Sequence, residues 1–140
     1  MKFLAIHPDF QLPTRASSGA GGYDIYMPEG GCVREFQAIK VGLGFAAEVP
    51  PGFAAFILPR SGVGTKHGLE LNNTCGIIDS DYRGEWVATL KVKHFPGFAW
   101  AAGDRLLQYL LVPVLDSPPE RVHTLTTTLR DTGGFGSTGQ

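Results

Sequence analysis

Glycine and proline interrupt this chain every few residues, and no other feature restricts its fold as much. Nineteen glycines and ten prolines make up about a fifth of the sequence. They recur at Pro8, Pro13, Gly19, Pro28, Gly42, Pro50, Pro51, Pro59, Gly62, Gly68, Gly76, Gly84, Pro96, Gly103 and Pro113. Proline inside a helix removes a hydrogen bond and clashes with the preceding turn, and glycine there loses the most backbone entropy. Long helices are therefore excluded, and with them an α/β fold, which needs helical periods of ten or more residues between strands. The segments between the breaks read as strands: Phe53 to Leu58, Trp86 to Val92, Leu106 to Val114, and the alternating run Cys32 to Val41. Short strands at regular spacing predict an all-β fold, a sandwich, barrel or jelly roll. At most one short helix is expected, near Gly62 to His67, with a flexible C-terminal arm.

The chain has 140 residues, enough for one domain with a real core, and 43% of them are apolar while 18% are charged. So few charges suggest that a partner covers part of the surface. The net charge of −1 provides no broad basic face, so nucleic-acid binding by phosphate neutralisation is not expected. Cys32 and Cys75 form no CxxC or Cys/His cluster, which argues against a structural zinc site, and they read as two buried or idle thiols in preference to a disulfide. The apolar start Met1 to Ile6 is cut at once by His7-Pro8-Asp9, too soon for a signal peptide, and no later run is long enough for a membrane helix. The expectation is a soluble, cytoplasmic protein. From Ser117 onward the sequence turns polar, then glycine-rich, so 1–116 reads as a β core and 117–140 as an arm.

Chemistry concentrates in five segments. Gly76-Ile77-Ile78-Asp79-Ser80-Asp81-Tyr82-Arg83-Gly84 puts two carboxylates and a phenol within four positions. In an extended strand, Asp79 and Asp81 would share a face, at an electrostatic cost that calls for a cation or a function. Pro59-Arg60-Ser61-Gly62 has the guanidinium and flexible amides that suit phosphate, although the P-loop spacing is absent. Ala20-Gly21-Gly22-Tyr23-Asp24 ends on a carboxylate suited to a hydrated cation. In Arg105-Leu106-Leu107-Gln108 the amide interrupts an apolar run, as a core hydrogen-bonder or as a ligand contact. Arg130 to Gly139 combines Arg, Ser, Thr, one Phe and bare glycine amides, either a frayed terminus or a wrapper for phosphate. The four histidines are scattered and no GxSxG elbow is present, which leaves a carboxylate-driven reaction on a phosphate-bearing ligand.

Taken in order, these five segments resemble the motifs of the trimeric dUTP diphosphatase (dUTPase) family, spread over nearly the whole chain. The resemblance implies an all-β, jelly-roll-like distorted barrel assembled as a homotrimer, with three active sites at subunit interfaces and the last motif donated by another subunit. It implies hydrolysis of dUTP to dUMP and diphosphate with Mg²⁺. Asp79 would be the general base that deprotonates a water for attack on the α-phosphorus. Tyr82 would pack on the deoxyribose and exclude a 2′-hydroxyl. Asn73, with the backbone through Gly76, Ile77 and Ile78, would read the uracil edge. Arg60, Ser61, Gly62 and Gln108 would hold phosphates, and Asp24 would reach Mg²⁺ through water, the triphosphate being its main chelator. Phe135 would stack over uracil, while Arg130, Gly136, Ser137 and Thr138 bind the outer phosphates. A deaminase of related fold would instead need a glutamate at the base, whereas Asp79-x-Asp81-Tyr82 is of the dUTPase type.

The sequence departs from the family pattern twice. Gly21 stands where the family usually has alanine, a mild change. Asp131 follows Arg130 where the family usually has glycine, which sets a negative charge beside an arginine meant for phosphate. Weaker or slower closure of the arm is the expected result.

Overall fold

A computed structural model describes residues 1–133 of the chain. Among them are eleven strands and one helix: β1 (Lys2–Ala5), β2 (Tyr23–Tyr26), β3 (Gly31–Val33), β4 (Ala38–Gly42), β5 (Phe45–Glu48), β6 (Phe53–Pro59), α1 (Ser61–His67), β7 (Leu69–Leu71), β8 (Gly76–Ile78), β9 (Val87–Val92), β10 (Phe98–Trp100) and β11 (Arg105–Pro113). All pairings are antiparallel. The largest sheet runs β2-β11-β6-β8, a second runs β4-β9-β7, and β1-β5 and β10-β3 are two-stranded. Non-consecutive strands lie side by side throughout, as in a jelly roll, and no sheet closes into a complete barrel among the described residues.

The expected strands form, with one correction. Cys32 to Val41 is two strands, β3 and β4, separated by a turn in which Phe36 takes φ 57°. The alternating pattern across the break is real, but each half pairs elsewhere: β3 with β10 and β4 with β9. The expected helix is α1. It stops at Gly68, which adopts the left-handed conformation that glycine tolerates best, and Lys66 and His67 sit in its last turn, where cations are favoured. Among the described residues no helix is long and apolar enough to cross a membrane.

The core lies between the sheets. Trp86 is fully buried, 5.1 Å from Phe45 and edge-on to Tyr109 at 5.6 Å, and Tyr109 stacks on Tyr23. Burial pushes the Tyr109 phenol up to about 12. Cys32 and Cys75 are both free thiols, and burial raises that of Cys75, which suits an unreactive role.

Candidate active site

The centre of the large sheet builds the first half of the site. Arg105 and Gln108 are three residues apart on β11, so a regular strand would point them to opposite faces. The register against β2 shifts between Arg105 and Leu107, and this bulge turns both side chains toward β2 and its one buried carboxylate. That carboxylate is Asp24, directly across from Gln108. Asp24 is the only buried charged residue of the described chain, at 6% exposure. Its Oδ1 accepts from Arg60 Nε at 2.8 Å, and its Oδ2 accepts from Arg105 Nη1 at 3.2 Å. A buried carboxylate needs such partners, and here two cations hold it.

Arg60 leaves the end of β6 in extended conformation, just before α1. Its backbone N–H donates to Leu106 O and its side chain to Arg105 O at 3.1 Å. Gln108 Nε2 donates to Pro59 O at 3.3 Å. Gly22 makes room for this amide, since a Cβ there would lie 2.7 Å from Gln108 Oε1. Asp24, Arg60, Ser61, Gly62 and Gln108 thus surround one open cavity of about 240 Å³, with Gly21 and Gly22 on its rim. A Cβ at Gly21 would meet nothing within 4 Å, so glycine in place of alanine costs no contact there. Gln108 is both a hydrogen-bonder to the core backbone and a wall of the cavity, which joins the two readings of that residue.

The second half lies elsewhere on the same chain. Asp79, Ile77, Ile78 and Tyr82 line a smaller recess of about 120 Å³ with Glu85 and Val87. The premise that Asp79 and Asp81 share a strand face does not hold. β8 ends at Ile78, and the chain turns over Asp79 to Tyr82, where Tyr82 N donates to Asp79 O at 3.2 Å. Arg83 spends its guanidinium on the carbonyls of Ser80 and Tyr82, and Asp81 makes no ion pair among the described residues. Asn73 is exposed in the turn leading into β8, with its carbonyl held by Cys75 N at 2.7 Å. Gly76 packs its backbone against Ile57.

These two halves do not meet within one chain. In the β6–β8 register Gly76 faces Ile57 and Ile78 faces Ala55, so Asp79 falls beside Ala54. Asp79 borders a surface recess with Gly52, Phe53 and Ala54. Arg60 comes six residues after Ala54, just past the far end of β6, about 20 Å away at ~3.3 Å per residue. Arg130 lies far out on the C-terminal segment, exposed, with Nε donating to Gly133 O at 2.9 Å. Phe135, Gly136, Ser137 and Thr138 lie outside the described residues.

Arg105 and Glu85 join the site without having been assigned a role from sequence. Arg105 had a signal, its odd spacing from Gln108 within one motif. Glu85 had none, because its partners come from a distant turn.

No group of three metal-ligating side chains exists among the described residues. Asp24 offers one carboxylate whose oxygens are already engaged by two guanidinium groups. This donor set does not suit a metal caged by protein. It does fit Mg²⁺ carried by phosphates and keeping its water shell, reached by Asp24 at second hand.

An all-β domain with a guanidinium- and amide-lined polar cavity, and a separate hairpin bearing a carboxylate and a phenol, has the attributes of a nucleotide hydrolase. The family model described as dUTPase matches residues 8–139, and the chain belongs to the dUTPase family. A deoxyuridine 5′-triphosphate nucleotidohydrolase of Acinetobacter baumannii is 40% identical over 135 residues, covering 94% of this chain and 90% of its own length. That of Pseudomonas syringae pv. tomato is 39% identical over 134 residues, covering 94% and 89%. Among solved structures, a variant dUTPase of Staphylococcus bacteriophage 80alpha with dUpNHpp superposes at a TM-score of 0.87 and 20% identity, covering 99% of this chain and 98% of the other. A variant dUTPase from phage phi11 of S. aureus, which coordinates a structural Mg(II) ion, superposes at 0.79 and 19% identity, covering 88% and 96%.

Proposed function

We propose that this chain hydrolyses dUTP to dUMP and diphosphate, keeping uracil out of DNA and supplying dUMP for dTMP synthesis, in a site that two or more copies build together. The observation that carries the shared site is the separation of about 20 Å along β6 between Asp79 and the Arg60–Asp24–Gln108 cavity. A substrate bridging the two needs the hairpin of one copy against the cavity of another. A homotrimer, with residues 117–140 acting as an arm over a neighbouring site, meets that need.

In this reading Asp79 is the general base. Its carboxylate takes a proton from a water whose oxygen attacks the α-phosphorus, and diphosphate leaves with the electron pair of the broken anhydride bond. Asp79 is exposed, so it is reachable by water before the arm closes. Tyr82 lies against the deoxyribose. Asn73 and the backbone of Gly76, Ile77 and Ile78 read the base.

Arg60, Ser61, Gly62 and Gln108 hold phosphate oxygens, and Arg105 keeps Asp24 and Arg60 in place. Asp24 would hold a bound Mg²⁺ through water, and the metal would supply charge neutralisation on the phosphates. Arg130, Phe135, Gly136, Ser137 and Thr138 complete the enclosure. Catalysis of this kind is chiefly positioning and charge stabilisation.

The decisive variant is Asp79→Asn, which keeps the shape and removes the base. Hydrolysis of dUTP should fall by about 10²–10⁴ while binding of a non-hydrolysable dUTP analogue, read by calorimetry, stays within a few-fold. Undiminished turnover in this variant would sink the assigned mechanism.

A further inference from the structure

Tyr82 can act as a steric gate only if its ring is held in place, and the structure shows what holds it. The phenol donates to Glu85 O at 3.1 Å, which bends the ring back over the following residues. The space it fills is the space a side chain at position 84 would take. A Cβ on Gly84 would overlap the phenol oxygen and lie 2.6 Å from Cζ and 3.1 Å from Cε2. Glycine is required at 84 because the ring is there, since this residue has no left-handed φ to explain it.

Glu85 then fastens the loop to the rest of the domain. Its Oε1 accepts from Gly44 N at 3.0 Å. Its carboxylate lies where a side chain at Gly42 would go, with Cδ 3.1 Å from the position of a Cβ there. Backbone bonds on either side, Leu43 N to Trp86 O and Trp86 N to Phe45 O, both at 2.9 Å, seat residues 85–86 on the turn between β4 and β5. Gly42 leaves room for the carboxylate and the Gly44 N–H holds it, while Gly84 leaves room for the phenol.

We propose that Gly84 and Glu85 are positioning residues for sugar selection. Glu85 anchors the descending end of the hairpin in the Gly42–Gly44 turn, and Gly84 leaves the volume in which the Tyr82 ring is fixed. The inference rests on the reading of Tyr82 as the group that lies against deoxyribose. A gate that rejects one extra oxygen works over about an ångström, so a ring free to shift by that much no longer discriminates.

The test is the ratio of kcat/KM for dUTP to that for UTP, measured on full-length Gly84→Ala, Glu85→Ala, Glu85→Gln and Tyr82→Ala. Gly84→Ala and Glu85→Ala should lower the ratio by about tenfold or more, because UTP gains relative to dUTP. Glu85→Gln keeps an oxygen that accepts from Gly44 N and should hold the ratio within about twofold of the parent. A purely structural lesion would depress both substrates together and leave the ratio alone. If Gly84→Ala does not fold, the two Glu85 variants decide. An unchanged ratio in soluble Gly84→Ala and Glu85→Ala, alongside a lowered one in Tyr82→Ala, overturns the positioning roles only. An unchanged ratio in Tyr82→Ala removes the gate itself, and the inference with it.

Discussion

Asp131 shows how much one residue can alter at a site read from sequence. Its φ of 43° lies in the left-handed region, where glycine is at ease and a side chain is not. Its N–H donates to Thr128 Oγ1 at 3.0 Å, and the next residues curl so that Arg130 Nε donates to Gly133 O. The chain thus keeps the backbone bend of a glycine while carrying a carboxylate next to Arg130. In the proposed reading of the arm, that charge opposes closure over an anionic ligand. Asp131→Gly should lower KM for dUTP by about two- to fivefold, the effect of a nearby charge and a mildly strained residue. Steady-state kinetics at low and high salt would check this. The gain should shrink with salt if charge dominates, and an unaltered KM and kcat would remove the role assigned to Asp131.

At the scale of elements, the loops matter as much as the strands. Cys32 to Val41 alternates well enough for one strand, yet the chain breaks it so that β3 and β4 can join different sheets. The break is held by the turn before β10. Gly97 has φ 107°, and a Cβ there would overlap Val33 O and lie 3.0 Å from Arg34 Cα. Both obstacles are backbone, so neither can swing aside. Gly97→Ala should cost about 2 kcal/mol or more, observed as a lowered urea midpoint with little change in slope. A wild-type midpoint would mean that the two loops are not interlocked. The β11 bulge shows the same limit of sequence reading. Arg105 and Gln108 stand at a spacing that alternation assigns to opposite faces, and a register shift against β2 reconciles them. Periodicity cannot show a bulge, because the partner strand creates it.

For the whole molecule, the distance between the two half-sites is the controlling fact. Nothing in the spacing of the motifs says that Asp79 and Arg60 sit at opposite ends of β6. The β6–β8 pairing says it at once. Subunits that share sites should complement one another. Asp79→Asn and Arg60→Ala, each inactive alone, should regain about a quarter of parental activity when co-assembled in equal amounts. Each site then has an even chance of an intact hairpin and an independent even chance of an intact cavity. Activity assays on the mixture, before and after reversible denaturation, would measure this. No recovery in a mixture shown by mass spectrometry to contain hybrid assemblies would refute the shared site.

The sequence by itself determined the fold class, because glycine and proline at such intervals leave no room for a long helix, and the one helix that forms, α1, spans only Ser61–His67. It also determined the chemistry available, since the kinds of side chain in the five motifs are local facts. The tertiary structure alone decided how these residues are arranged. It ended β8 at Ile78, before both aspartates, so Asp79 and Asp81 are exposed turn residues and not a pair on one strand face. It clamped Asp24 between Arg60 and Arg105, fitted Tyr82 into the space left by Gly84, and lodged Glu85 between Gly42 and Gly44. Each of these depends on which strand lies beside which. Strand pairing joins residues far apart along the chain, whereas propensity and alternation act only between near neighbours.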